Sequence, residues 1–108
     1  MTFMITTAEI EHCARLLADT ASSPARVVIF GSYARGGATE QSDLDFLVIE
    51  KEVESSTRES VLLREVLPPL SVPVDVIVVS DEHAAQRAQV KGSMVATALA
   101  EGRVLAES

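Results

Sequence analysis

The chain is poor in the residues that mark several common kinds of protein. A single cysteine, Cys13, in 108 residues rules out an internal disulfide and with it a stapled secreted scaffold. Cys13 is expected on the buried side of a first helix. Tryptophan is absent, and one tyrosine and three phenylalanines leave little surface on which single-stranded bases could stack. His12 and His83 have no second His or Cys at ligand spacing, so a zinc site is not expected. Both read more simply as surface or helix-end residues. The apolar runs fall far short of the ~20 residues that a bilayer-spanning helix needs. No charged-then-apolar leader opens the chain, and a cytoplasmic, non-membrane protein is the expectation. Basic residues are also scarce, with nine Lys and Arg against sixteen Asp and Glu and a net charge of −7. No basic cluster could track a phosphate backbone, so a long nucleic acid is not an expected partner. A basic protein surface or a small molecule fits better.

What is present suffices for one core. Hydrophobic residues make up 47% of the chain, and a length of 108 residues points to one domain over 1–108. The most informative stretch is 29–49, IFGSYARGGATEQSDLDFLVI. An apolar run ends in Gly31-Ser32, a polar loop of ten residues follows, and Asp43 and Asp45 flank one leucine at the start of a second apolar run. Side chains alternate along a strand, so Asp-x-Asp puts both carboxylates on one face, with Cβ atoms roughly 6–7 Å apart. Two such carboxylates can share divalent cations about 3.5–4 Å apart, the geometry of in-line phosphoryl or nucleotidyl displacement. Glycine lets the backbone approach a phosphate, and serine adds a donor. A third acid, Asp75, sits inside the β-branched run Val72–Val79, where an unpaired charge would be costly to bury. If that strand lies beside the one carrying Asp45, the three acids form an oxygen-rich set that suits Mg²⁺ better than zinc. Each piece alone has an ordinary reading: a turn, a loop cap, an edge-strand surface residue. Their order and spacing together point to nucleotidyl transfer.

The pattern Gly31-Ser32, a ten-residue gap, Asp43-Leu44-Asp45-Phe46 and then Val74-Asp75-Val76 resembles the DNA polymerase β-type nucleotidyltransferase superfamily. Within it, Gly31-Ser32-Tyr33-Ala34-Arg35-Gly36 and Ser42-Asp43-Leu44-Asp45 are similar to the minimal nucleotidyltransferases, single-domain antitoxins that act beside HEPN-family ribonuclease toxins. The resemblance covers 27–79 most specifically. It implies that Gly31, Ser32, Arg35 and Ser42 bind the nucleotide, that Asp43, Asp45 and Asp75 hold Mg²⁺ in a two-metal site, and that Asp75 also helps activate the attacking hydroxyl. It further implies transfer of AMP from ATP to a hydroxyl, in the family a tyrosine, of a partner HEPN toxin. Arg35 could equally be a solubilising loop residue, and Tyr33 could pack in the loop or stack on the nucleotide.

The remaining segments read as scaffold. Thr6-Thr7-Ala8-Glu9 has capping-box spacing and opens a helix to about Asp19, with Ile10, Cys13, Ala14 and Leu17 on one stripe. Ser22-Ser23-Pro24 ends it. Strands follow at Arg26–Phe30, Asp45–Ile49 and Val74–Val79. Ser56-Thr57-Arg58-Glu59 repeats the capping spacing and opens a helix carrying Val61, Leu62, Val66 and Leu67, stopped by Pro68-Pro69. Asp81 is placed as the N-cap of a helix to about Val90, Gly92-Ser93 as a break, and Met94–Glu101 as a helix closed by Gly102. In that last helix Met94, Val95, Ala98 and Leu99 form an apolar stripe expected in the core, part of which could instead face a partner. Arg103-Val104-Leu105 adds a short edge strand, and Met1–Ile5 is expected to pack on the sheet or a partner. The predicted fold is α/β (α+β), a small mixed sheet covered by helices, of the polymerase-β-type nucleotidyltransferase kind. Two further readings stand beside the enzyme: an antitoxin that masks its partner by binding alone, and transfer to a small hydroxyl compound, which would call for a substrate-binding surface from a second copy. A homo-oligomer or a hetero-oligomer with the toxin is compatible with all three.

Overall fold

Alternation along the strands sorts the apolar residues into two layers. The computed structural model describes residues 5–36, 38 and 42–108. The elements run α1 (Thr7–Thr20), β1 (Ala25–Phe30), α2 (Ser32–Arg35), β2 (Leu44–Glu50), α3 (Ser56–Glu65), β3 (Val74–Ser80), α4 (Asp81–Ala88), α5 (Met94–Glu101) and β4 (Arg103–Glu107). The strands form one mixed sheet in the order β3-β2-β1-β4. β2 pairs with β3 in parallel and β1 pairs with β2 and β4 antiparallel, with a bulge at Val27/Val28 opposite β4. On one face Val27 and Ile29 of β1 and Leu44, Phe46 and Val48 of β2 pack with Cys13, Ala14 and Leu17 of α1 and with Leu63 of α3. On the other, Val28, Phe30, Leu47, Ile49 and Val79 pack with Ala84 of α4 and with Val95 and Ala98 of α5. The sheet is thus covered on both sides, as its parallel pair requires. Each fully buried Leu, Ile or Phe adds about 1.5–3 kcal/mol of transfer free energy. No helix among the described residues is long and apolar enough to cross a membrane.

The helix ends follow the sequence with three shifts. Thr6 and Glu9 close a reciprocal capping box on α1, as their spacing predicts. The expected cap at Ser56 is instead Ser55, whose hydroxyl accepts from Arg58 N. The expected cap at Asp81 is Ser80, accepting from His83 N. Adjacent residues compete for these positions because both types are good caps. The α3 stripe also differs: Leu63 is buried while Val61 and Leu62 are 52% and 43% exposed. In α5 only Val95 and Ala98 are buried, with Met94 and Leu99 exposed. α4 stops at Ala88, short of Val90. The strand expected at 103–105 extends to Glu107 and pairs with β1. Cys13 is buried as expected. Ile5 is also buried, and the other residues of the N-terminal apolar segment, 1–4, lie outside the described set.

Candidate active site

Two pairings bring the acids to one end of the sheet. Phe30 stands opposite Asp45 in the antiparallel β1–β2 pair, and Asp45 stands opposite Asp75 in the parallel β2–β3 pair. Partners in register project to the same face from strands about 4.8 Å apart. Both therefore lie on the α4/α5 side of the sheet, where the odd-numbered residues of β2 face. Asp45 is half-buried, and Asp43 and Asp75 are exposed. The backbone of β2 continues its pairing through Leu44 N, which donates to Pro73 O at 2.9 Å. Asp43 thus stands at the entrance of the strand, two residues before Asp45.

The glycine of the Gly-Ser turn is set against this pair. Gly31 has φ +77°, and a Cβ built there would lie 2.6 Å from Asp45 Oδ2. No other residue would allow both that backbone conformation and the approach of the Asp45 carboxylate. The chain then makes one helical turn, α2, with Gly31 at its N-cap and Gly36, φ +78°, at its C-cap. Sequence reasoning took this turn as loop; Gly36 after Arg35 was the signal for it. The first-turn N–H groups of a helix lack intrahelical acceptors, a disposition that suits an anion. Arg35 ends the turn, and its side chain lies outside the described set, as do 37 and 39–41 of the following loop. Ser42 is half-buried immediately before Asp43.

Tyr33 points the other way. It packs against the α1-side core and lines a hollow of about 250 Å³ with Ile5, Ile10 and Leu105. Its hydroxyl is buried without a hydrogen-bond partner among the described residues, and burial pushes its pKa up. Packing rather than nucleotide stacking accounts for it.

The donors at the sheet end are carboxylates and a serine hydroxyl, an all-oxygen set that fits a hard cation such as Mg²⁺. Asp45 and Asp75 are the adjacent pair. Among the described residues, however, no group of three or more His, Cys, Asp and Glu side chains stands close enough to hold a metal ion, so Asp43 is not gathered with them into a single set. Like charges at such spacing repel, which favours an open arrangement. Two larger hollows, of about 480 and 510 Å³, lie elsewhere: one beside Glu50 and Glu59, the other along β3 beside His83 and Met94.

The model of the nucleotidyltransferase domain family matches residues 11–101, a span that contains Gly31, Ser32 and all three acids. A Methanocaldococcus jannaschii protein named as a candidate protein adenylyltransferase is 41% identical over 39 residues, which make up 36% of this chain and 39% of that relative. The fold is similar to the crystal structure of a candidate nucleotidyltransferase from Sulfolobus solfataricus, with a TM-score of 0.60 at 21% identity over 90% of this chain and 76% of that one. It is similar also to a toxin–antitoxin crystallised with AMP-PNP, with a TM-score of 0.55 at 19% identity over 94% of this chain and 73% of that one. With the family model spanning most of its length, the chain belongs to the nucleotidyltransferase domain family.

Proposed function

We propose that the protein is a Mg²⁺-dependent adenylyltransferase that moves AMP from ATP to a hydroxyl, by resemblance a tyrosine, of a partner HEPN-family toxin, and so acts as an antitoxin. The observation that carries the reading is the in-register placement of Asp45 and Asp75, with Gly31 against the Asp45 carboxylate. The likeness to a toxin–antitoxin with AMP-PNP and the name of the M. jannaschii relative support the partner and the nucleotide. The net charge of −7 favours a protein acceptor over a nucleic acid.

In this reading Asp43, Asp45 and Asp75 would hold Mg²⁺, Asp43 joining the in-register pair when the cation offsets the repulsion between them. The ion would neutralise triphosphate charge and stabilise the entering and leaving oxygens. Gly31 and Ser32 receive the triphosphate, with Arg35 and Ser42 as further phosphate contacts. Asp75 accepts the proton of the attacking hydroxyl, whose oxygen bonds the α-phosphorus as the bond to the β-phosphate bridge breaks and pyrophosphate leaves. The test is incubation of the protein with labelled ATP, Mg²⁺ and the product of the neighbouring gene. Label should reach the partner with the wild type and not with Asp45→Asn. An unlabelled partner, under conditions where the two proteins bind, overturns the transfer reading.

Neutralisation by binding alone draws on the same toxin–antitoxin likeness. Full protection of cells by Asp45→Asn would favour it.

A further inference from the structure

The far end of β2 carries an acid that the site above does not use. Glu50 closes the strand on the α1/α3 face and is 0% exposed, a position glutamate almost never takes without a partner. Its Oε1 accepts from Ser23 N at 3.2 Å and Ser23 Oγ at 3.5 Å. Its Oε2 is buried with no hydrogen-bond partner among the described residues. Glu59 of α3 is its neighbour: the two glutamates line one hollow, and the consecutive serines Ser22 and Ser23 each donate to one of them. Glu59 already accepts from Ser22 N at 2.8 Å and Ser22 Oγ at 2.7 Å. Two ionised carboxylates offer only acceptors, and an ionised Glu50 would leave a buried charge against a like one. One proton on Glu50 removes both problems by turning the orphaned oxygen into a donor.

We propose that Glu50 and Glu59 share one proton, and that this carboxyl–carboxylate hydrogen bond is a pH-sensitive tether fastening α3 and the α1–β1 turn to the end of β2. Ser22 and Ser23 complete it: Ser23 Oγ donates to Glu52 O at 3.0 Å and accepts from Glu52 N at 3.1 Å, so the turn grips the strand end from both sides. Burial, with the Glu59 contact added, pushes Glu50 up to about 7. Burial also raises Glu59, but hydrogen bonds from Glu50 and from Ser22 outweigh it and leave Glu59 below its usual value. Raised at Glu50 and lowered at Glu59, the two directions fit one proton held between them. The other charged groups lining the adjoining hollow are Glu52 and Glu54 from the loop after β2 and Arg58 from α3. The α1–β1 turn presents only uncharged serines.

A carboxyl whose folded value lies above its unfolded one adds stability that is complete at acid pH and is lost as pH rises through the folded value. The Glu50 contribution is therefore complete below 4.5 and lost as pH passes about 7. The lowered Glu59 contributes fully only above 4.5 and loses that contribution as pH falls through its folded value, so the one-proton tether is strongest between the two. The experiment is a carboxyl-carbon NMR titration of the wild type from about pH 4 to 9, across the range in which carboxyls can titrate when buried. Urea midpoints over the same range for wild type, Glu50→Gln and Glu59→Gln accompany it. One glutamate should titrate near neutrality, vanish in Glu50→Gln and move toward its ordinary range in Glu59→Gln. The wild-type urea midpoint should fall as pH rises through neutrality, whereas Glu50→Gln, with a permanent amide donor, stays level. His12 and His83 are common to all three proteins and cancel. The proposal is overturned if every wild-type glutamate titrates in the ordinary range, or if the wild-type and Glu50→Gln midpoints share one pH profile. It is likewise overturned if Ca²⁺ or Mg²⁺ restores alkaline stability in a Glu50-dependent way, because a cation rather than a proton then fills the gap. Should Glu50→Gln fail to fold, the wild-type and Glu59→Gln titrations decide.

Discussion

Asp45 near the start of β2 and Glu50 at its end are carboxyls of one seven-residue strand, yet parity and surroundings separate them. Asp45, at an odd position, faces the α4/α5 side beside a second acid in register on β3 and a glycine backbone. Glu50, at an even position, faces the α1/α3 side, where Ser23 donates to it and Glu59, held by Ser22, lines the same hollow. At the first end the Asp45 carboxylate lies against the bare backbone of Gly31, with the exposed Asp75 in register beside it. At the second, donors from a turn and a proton satisfy the acid internally. The lesson is that an acid pair reads as site or as scaffold according to what closes around it, more than by its charge.

The largest expected effect sharpens the first half of that contrast. Asp45→Asn keeps the shape and removes the charge, so AMP transfer to the partner should fall by roughly 10³-fold, the size expected when preorganised electrostatic stabilisation is removed. Thermal stability should stay near that of the wild type. A labelling time course beside a melting curve checks both, and retained transfer would place the chemistry elsewhere on the chain.

Gly31→Ala comes next. Its Cβ would need to occupy space 2.6 Å from Asp45 Oδ2 at φ +77°, displacing the carboxylate or the turn. Misplacement of this order costs about 10²-fold in rate, and the strained backbone costs ~1–3 kcal/mol. Gly102→Ala is the control: its Cβ would meet Ala98 O, Ile29 O and Val28 Cγ1 rather than a carboxylate. It should lower the urea midpoint while leaving the specific activity of the folded fraction unchanged.

Much of the first region could be read from the sequence because it is local. Asp43 and Asp45 stand out by strand alternation and Asp75 as the one charge in a β-branched run, although only Asp45 and Asp75 stand in register. The Thr6–Glu9 box follows from its spacing, and the breaks from Gly and Pro. The second region could not. A glutamate at a strand end looks like a solvent-facing stop, and the groups that bury Glu50 come from Ser23 and from Glu59, which Ser22 meets across 37 positions of chain. The α3 face was hidden for a different reason: Val61, Leu62 and Leu63 are consecutive, and only the sheet beneath decides that Leu63 turns inward. Tyr33 was undecided because a one-turn helix can present it to either side of the sheet, and the α1 packing settles it.

Glu50→Ala tests the other end of β2. It leaves Ser23 N without its acceptor and opens a void, together costing about 2 kcal/mol at acid to neutral pH. Above about pH 7 the wild-type pair is itself ionised and repelling, so the penalty should shrink. AMP transfer should change little in either range. Urea midpoints at two pH values, with the labelling assay alongside, give the readout. An equal loss of transfer would mean that the two ends are coupled through the strand rather than independent.

The smallest effect bears on how Glu59 reaches Glu50. α3 begins after Ser55, whose Oγ accepts from Arg58 N at 3.3 Å, although the spacing Ser56-x-x-Glu59 would let the helix cap itself with Glu59. Because Ser55 takes the cap, Glu59 is released from its own helix and turns to Ser22 and Glu50. Ser55→Ala should therefore cost about 1 kcal/mol, the usual value of a serine N-cap. Ser56→Ala should stay within about 0.5 kcal/mol as an exposed substitution. Urea denaturation at neutral pH distinguishes them. A larger loss at Ser56 would mean that Glu59 closes its own helix, that the Glu50 oxygen is satisfied some other way, and that the contrast between the two ends of β2 is not the one drawn above.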